Sequence, residues 1–134
     1  MADRNFYPNS LSLEVDHVSL WAQIVIGSGG AVTSSSGLGI LTVVKESAAG
    51  QYTITLTDSY NKLLWAGCTL LSTTDGAQTI GTAFRINSEN VDDAAAPVLV
   101  IQCSDTATGA DANLTSGDIL YVKIELRNSS VTNT

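Results

Sequence analysis

The residues that could do chemistry are few, and they include a single histidine, His17. A Ser-His-Asp triad would have to use it, but no serine of the chain stands in the Gly-x-Ser-x-Gly setting of an exposed nucleophile. Zinc sites need several imidazole or thiolate ligands at fixed spacing, and Cys68 and Cys103 lie far apart in the sequence. We therefore expect neither a nucleophilic hydrolase nor a zinc site, and we place His17 at a strand start or turn in solvent.

Carboxylates are the next candidates, as a glycosidase pair or as calcium ligands. Asp92 and Asp93 are adjacent, so in an extended chain they would point to opposite sides, and a solvated loop is the better interpretation. Asp105 and Asp111 could offer oxygen ligands to calcium, although the Gly and Glu of an EF-hand loop are missing. The glycines at 27–30 lack the lysine of a phosphate-binding loop. We predict that the chain is not an enzyme and holds no cofactor or metal, with calcium as the alternative.

Composition and charge limit the classes of binding partner that we expect. Charged residues make up 14% of the chain, against about 25% in an ordinary soluble domain, and the net charge is −7 with six scattered basic residues. Nucleic-acid binding favours a basic stripe, so we expect no nucleic acid as partner. The polar residues that replace charge are serine, threonine, asparagine and glycine, and the hydrophobic fraction of 44% is too high for a disordered chain.

No segment indicates a membrane or an export signal. No apolar run approaches the ~20 residues that span a bilayer, and the opening residues MADRNFYPNS lack the hydrophobic core of a secretory signal. Synthesis in a cytoplasm is therefore expected. Since a single disulfide is uncommon there, we predict that Cys68 and Cys103 are reduced and buried, with a disulfide as the alternative.

Alternating apolar residues predict the fold class. In the last strand, Leu120, Val122, Ile124 and Leu126 face one way and the polar residues between them face the other. The helical period of 3.6 is missing from every stretch of ten or more residues, although Asp58 could cap a short helical turn. The pattern predicts an all-β domain, a β-sandwich or jelly-roll-like barrel of seven to eight strands with an extended N-terminal arm. We expect the arm at 1–16, the sandwich domain at 17–129 and a C-terminal tail at 130–134, with strands at 17–26, 38–46, 50–57, 64–72, 78–88, 97–103 and 118–127 and a flexible loop at 27–37.

Two of these strands are apolar on both faces, or nearly so, namely the segments PVLVIQC (97–103) and LLWAGCTLL (63–71). In a single β-sandwich, one face of each strand is exposed to solvent. A strand that is apolar on both faces therefore indicates either a central strand covered by a loop or a subunit interface. Trp21 and Val25 add apolar residues to the outer face of the first strand. Exposed aromatic residues could alternatively form a sugar platform, for which the candidates are Trp21, Trp65, Tyr52, Tyr60 and Tyr121.

Three stretches resemble a group of small virion proteins of tailed phages. AAGQYTITLTDSYNKLL (48–64) is similar to their recurring Gly-x-Tyr/Phe-Thr-hydrophobic-Thr-Leu-x-Asp-x-Tyr segment. VKIELRNSSV (122–131) resembles their closing strand, and MADRNFYP (1–8) their short N-terminal lead. The middle of the chain, 67–117, carries no such likeness. The resemblance implies a capsid decoration, or cement, protein that binds the outer shell of the major capsid protein, frequently as a trimer.

From this resemblance we expect a homotrimer on the capsid surface of a virion that is assembled in the host cytoplasm. A tail or fibre component and a carbohydrate-binding host-attachment module are the alternatives. The resemblance supplies no catalytic residues. From the apolar surplus we predict an interface that includes Phe6, Tyr7, Leu11, Leu13, Trp21, Trp65, Leu99 and Ile101.

Overall fold

The structure is a computed structural model that describes residues 17–72 and 82–128. In these residues the chain is built of strands, with one 3₁₀ turn at Ser28–Gly30 and no helix long and apolar enough to cross a membrane. The predicted arm and the C-terminal tail lie outside the described residues. The strands are β1 (His17–Ile26), β2 (Val32–Leu38), β3 (Ile40–Lys45), β4 (Gln51–Leu56), β5 (Lys62–Leu71), β6 (Thr82–Asn90), β7 (Val98–Asp105) and β8 (Ile119–Arg127).

The eight strands form two four-stranded sheets, and all neighbouring strands pair antiparallel. Sheet A has the order β2-β1-β8-β5, and sheet B has the order β3-β4-β7-β6. Only Gly39 separates β2 from β3, so the chain crosses there from sheet A to sheet B. Gly39 has a φ of +73° and packs against Leu20, which suits a residue without a side chain. The prediction of an all-β sandwich is confirmed.

The core lies between the sheets and follows the alternation of the sequence. The even-numbered residues of β8, from Leu120 to Leu126, are buried, as predicted, against the inward side chains of β4 and β7. Leu99 and Ile101 belong to this core, with exposed fractions of 0% and 2%. Because their side chains fill the interior of their own subunit, the prediction that they contact a partner is wrong. The outward residues of β7, Val98 and Val100, are only half-buried.

Two local predictions were also wrong. The predicted flexible loop at 27–37 contains most of β2, whose sequence VTSSSGL is exposed along almost its whole length. This strand is at the edge of sheet A and pairs only with β1, so its side chains need not be apolar and leave no hydrophobic pattern. No helical turn follows Asp58 either, because residues 57–61 form bends between β4 and β5.

The loops at one end of the sandwich are tied together around Gly50. Its N–H donates to Asn113 Oδ1 at 2.8 Å and its carbonyl accepts from the N–H of Cys103 at 2.8 Å. A side chain at Gly50 would collide with the carbonyl oxygens of Ala112 and Cys103, and its φ of +65° also favours glycine. The buried hydroxyl of Tyr52 donates to the carbonyl of Gly30 at 2.8 Å and holds the 3₁₀ turn. The hydrogen bond to Asn113 therefore ties the long loop between β7 and β8 to the rest of the sandwich.

The two thiols lie in the interior, where neither can easily ionise. Cys103 is buried and Cys68 is partly buried, and both are free thiols. Burial raises the pKa of Cys68 to about 12. Burial, with the added proximity of Cys68, raises the pKa of Cys103 to about 12 as well. The folded state therefore holds both protons at a pH where an exposed thiol would lose its proton.

This difference predicts a loss of stability at alkaline pH. The unfolded chain releases each thiol proton near an ordinary pKa of about 8.5, so raising the pH above that value favours unfolding until the folded-state pKa is reached. The free energy of unfolding should fall by up to about 1.4 kcal/mol per pH unit per thiol. Urea unfolding between about pH 7.5 and about pH 10 measures this slope. The double variant Cys68→Ala/Cys103→Ala should lose less stability over that range, and an identical slope would contradict the prediction.

Candidate interaction surface

The outer face of sheet A carries three aromatic side chains on its three adjacent strands β1, β8 and β5. Trp21, Tyr121 and Trp65 are 50%, 40% and 55% exposed. The residues next to Trp21 and Tyr121 in sequence, such as Leu20 and Val122, point into the core. Because side chains alternate along a strand, the aromatic residues point outward. We call this surface, centred on Trp21, Trp65 and Tyr121, the aromatic face.

Strand register brings the face together in three rows. The middle row pairs Trp21 with Lys123 and Lys123 with Gly67. Two strand spacings, about 10 Å, therefore separate Trp21 from Gly67. The rows on either side are Ser19–Glu125–Trp65 and Gln23–Tyr121–Thr69.

Trp65 lies across Gly67, two residues further along β5. A Cβ atom added to Gly67 would overlap the six-membered ring of the indole, whose Cζ3 atom would be 3.1 Å away. The indole therefore covers the backbone of an edge strand at a position where no side chain intervenes, an arrangement known to support glycine in sheets. The ring reaches the middle row, beside Lys123, and the exposed part of Trp65 is available to a partner.

Polar groups between the aromatic rings are held by hydrogen bonds. The hydroxyl of Ser19 donates to Glu125 Oε1 at 2.7 Å, and Lys123 Nζ lies 3.1 Å from the same oxygen. The bond from Ser19, followed by the contact with Lys123, lowers the pKa of Glu125. Gln23 Nε2 donates to the hydroxyl of Tyr121 at 3.4 Å. The aromatic face is thus an ordered mixture of rings, one ion pair and neutral donors and acceptors.

The aromatic face encloses a shallow depression of about 590 Å³, within the usual range for small-ligand sites. The three aromatic residues line it together with Ser19, Thr69 and Lys123. A smaller cleft of about 310 Å³ lies at the opposite side of β5, where Phe84, Ile86 and Ile101 line it. The larger depression therefore coincides with the aromatic face.

The structure separates the predicted contact residues into three groups. Trp21 and Trp65 share the aromatic face, whereas Leu99 and Ile101 are in the core. Of the aromatic residues considered as a sugar platform, Tyr52 and Tyr60 are buried and cannot serve as one. The remaining predicted contact residues, Phe6, Tyr7, Leu11 and Leu13, lie outside the described residues.

Sequence reasoning missed part of the exposed apolar surface. Leu38, Leu41 and Val44 are 60%, 64% and 52% exposed. Leu41 lies at the irregularity between Ile40 and Thr42 in β3, which takes it out of the regular alternation. The absence of charged residues from this part of the sequence is the signal that could have found them.

The carboxylates considered for catalysis or calcium make local structural contacts. Asp93 Oδ1 accepts from the N–H groups of Ala95 at 2.8 Å and Ala96 at 3.2 Å, which shapes the turn before β7. Asp111 pairs with Arg85 at 3.1 Å, while Asp105 accepts from the N–H of its own turn, at Ala107. In residues 17–72 and 82–128, no group of three or more His, Cys, Asp or Glu is placed to hold a metal ion. These contacts leave the aromatic face as the candidate site.

The packing of the Trp65 ring over Gly67 can be tested with Gly67→Ser in a Trp21→Phe background, where Trp65 is the only tryptophan. The new side chain should displace the indole, because the two would occupy the same space. The expected result is a change in near-ultraviolet circular dichroism and in acrylamide quenching of Trp65, with the unfolding free energy changed by less than about 1 kcal/mol. Thr69→Ser, on the same strand and face, is the control. Unchanged spectra in the Gly67 variant would show that the ring lies elsewhere.

No protein-family model, curated protein or solved structure matches the chain.

Proposed function

We propose that the chain is a capsid decoration protein of a tailed phage, which binds the outer surface of the major capsid protein shell and stabilises it as a noncovalent homo-oligomer. The aromatic face is the observation that carries the proposal, since two half-exposed tryptophans and a tyrosine share one sheet surface. The three stretches of sequence that resemble phage virion proteins supply the identity of the partner, and their resemblance to trimeric cement proteins favours a trimer.

The residue types of the aromatic face suit a protein contact. Tryptophan and tyrosine are enriched among the few interface residues that carry most of the binding energy. Apolar surface removed from water contributes about 25 cal/mol per Å² before the cost of ordering. Trp21 and Trp65, each about half exposed, retain much of this area for a partner.

Low charge also suits assembly. A cement protein must hold neighbouring capsomers together through many repeated contacts, and each buried, unpaired charge would weaken them. On the aromatic face, Lys123 and Glu125 already form an ion pair with each other. The two side chains lie between the aromatic rings. In a contact they could help to keep water away from those rings, as the residues around a binding hot spot do.

Loss of the two indoles should weaken binding to the shell. In the variant Trp21→Ala/Trp65→Ala, we expect affinity for empty shells of the cognate major capsid protein to fall at least about 30-fold, because truncating one hot-spot residue costs about 2 kcal/mol or more. Co-sedimentation of purified protein with the shells measures the affinity.

Ile86→Ala is the control for this experiment, because Ile86 is an exposed apolar residue of sheet B that does not line the depression of the aromatic face. It should bind as the wild type does. Wild-type protein that fails to bind shells, or a double variant that binds them normally, would contradict the proposed contact. Labelled protein on the tail of purified virions would favour the tail or fibre alternative.

Carbohydrate binding is the second candidate, and the indole of Trp65 over Gly67 favours it. A flat ring beside Thr69 and Lys123 offers a stacking surface and hydrogen-bonding groups to a sugar, and the depression has the volume of a small-ligand site. This function predicts that a glycan quenches Trp65 fluorescence in the Trp21→Phe variant. No change across a broad glycan panel would exclude it.

A further inference from the structure

A long stretch of sequence that forms one side of the sandwich has no charged residues. Between Asp16 and Lys45 the sequence has no Asp, Glu, Lys or Arg. This stretch forms β1, all of β2 and β3 up to its last residue. Strands β2 and β3 are the edges of sheets A and B, and they lie next to each other across the turn at Gly39. We call the outward surface of these two strands, from Val32 to Val44, the uncharged edge.

Edge strands present unpaired backbone groups, and soluble proteins usually guard them with charge, proline or a bulge. The other two edges in the described residues follow this rule, because β5 begins with Lys62 and β6 contains Arg85 and Glu89. Strand β3 has an irregularity and ends in Lys45. Strand β2 has neither charge nor proline. Its pairing with β1 is irregular only near its start, between Val32 and Ser34, and is regular over 34–38. It is the least protected edge of the described sandwich.

The uncharged edge also displays aliphatic side chains. Leu38, Leu41 and Val44 are the aliphatic residues with more than half of their surface exposed in the described chain. A run of exposed serines, Ser34 to Ser36, precedes Leu38 in β2. An unguarded strand with exposed leucines is a surface that another chain is expected to cover.

We propose that a second copy of this chain covers the uncharged edge. Each copy carries a net charge of −7, so two copies repel each other wherever charged surfaces meet. A contact between identical chains is least opposed where the surface has no charge. Serine hydroxyls can both donate and accept hydrogen bonds, so a stripe of serines is complementary to a copy of itself, whereas a carboxylate stripe would not be.

The aromatic face is less suited to this role. It includes Lys123 and Glu125, whose ion pair would have to be desolvated in a contact with any partner, whereas the uncharged edge has no charge to desolvate. The two surfaces adjoin on the outer face of sheet A, where Leu38 pairs with Trp21. We assign the uncharged edge to the sister copy and the aromatic face to the shell. This inference rests on the proposed function for its expectation that the chain assembles, and it adds the location of the contact between copies.

Placing lysine on the uncharged edge tests the contact. The variant Ser34→Lys/Leu41→Lys changes one exposed residue on each strand, and the control Ser88→Lys/Ile86→Lys makes the same kinds of change on β6, the edge on the other side. Both variants lower the net negative charge, which by itself would reduce repulsion between copies. In sedimentation equilibrium, we expect the wild type and the control to associate alike and the edge variant to associate at least tenfold more weakly.

Hydrogen exchange provides a readout that does not depend on how well a variant folds. In the wild type, the backbone amides of 32–44 should gain protection when the protein is concentrated, while those of β6 should not. A wild type that stays monomeric, an edge variant that associates normally, or equal weakening by both lysine pairs would overturn the inference. Shell binding separates the two proposals. If the copies associate through the uncharged edge but do not bind shells, the proposed function is contradicted. If the protein binds shells and the edge variant associates normally, this inference is contradicted.

Discussion

The arrangement of this protein depends on one constraint, that each strand of a two-layer sandwich has a single face to bury. Sheet A packs Leu20, Val122 and their neighbours inward, so residues of the opposite phase must lie outside whatever their chemistry. Trp21 and Tyr121 are outside for this reason, and not because the core lacks space for aromatic residues, since Tyr52 is fully buried. A large apolar residue at an outward position therefore stays exposed, because turning it inward would turn its core-facing neighbours outward.

The same constraint explains which predictions succeeded. The alternation in β1 and β8 predicts both the strands and their inner faces, because both strands are central and pack on the core along their length. It also places Trp21 outside. It fails for Leu99 and Ile101, because a strand that is apolar on both faces does not reveal which face is the inner one. Here Leu99 and Ile101 are buried, and the outward Val98 and Val100 are half-buried.

Edge strands and pairings across the sheet are harder to predict from sequence. Strand β2 has no apolar pattern because it is exposed, and only its pairing with β1 makes it a strand. The aromatic face brings together residues 21, 65 and 121, and nothing in their sequence spacing indicates that they are neighbours. Their proximity follows from β8 lying between β1 and β5, which is a matter of topology.

The distribution of acidic residues links the two proposed surfaces to solubility. In the described residues, Asp58, Asp92, Asp93 and Asp111 lie in the connections between strands, and Asp105 is the last residue of β7. Net charge keeps a protein soluble wherever on the surface it lies, whereas a contact surface is weakened by charge only locally. Concentrating the acids in the connections therefore leaves the sheet faces and the β2–β3 side nearly neutral without loss of solubility. Charge in the connections therefore lies away from the two proposed contact surfaces, where it would have to be desolvated in a contact.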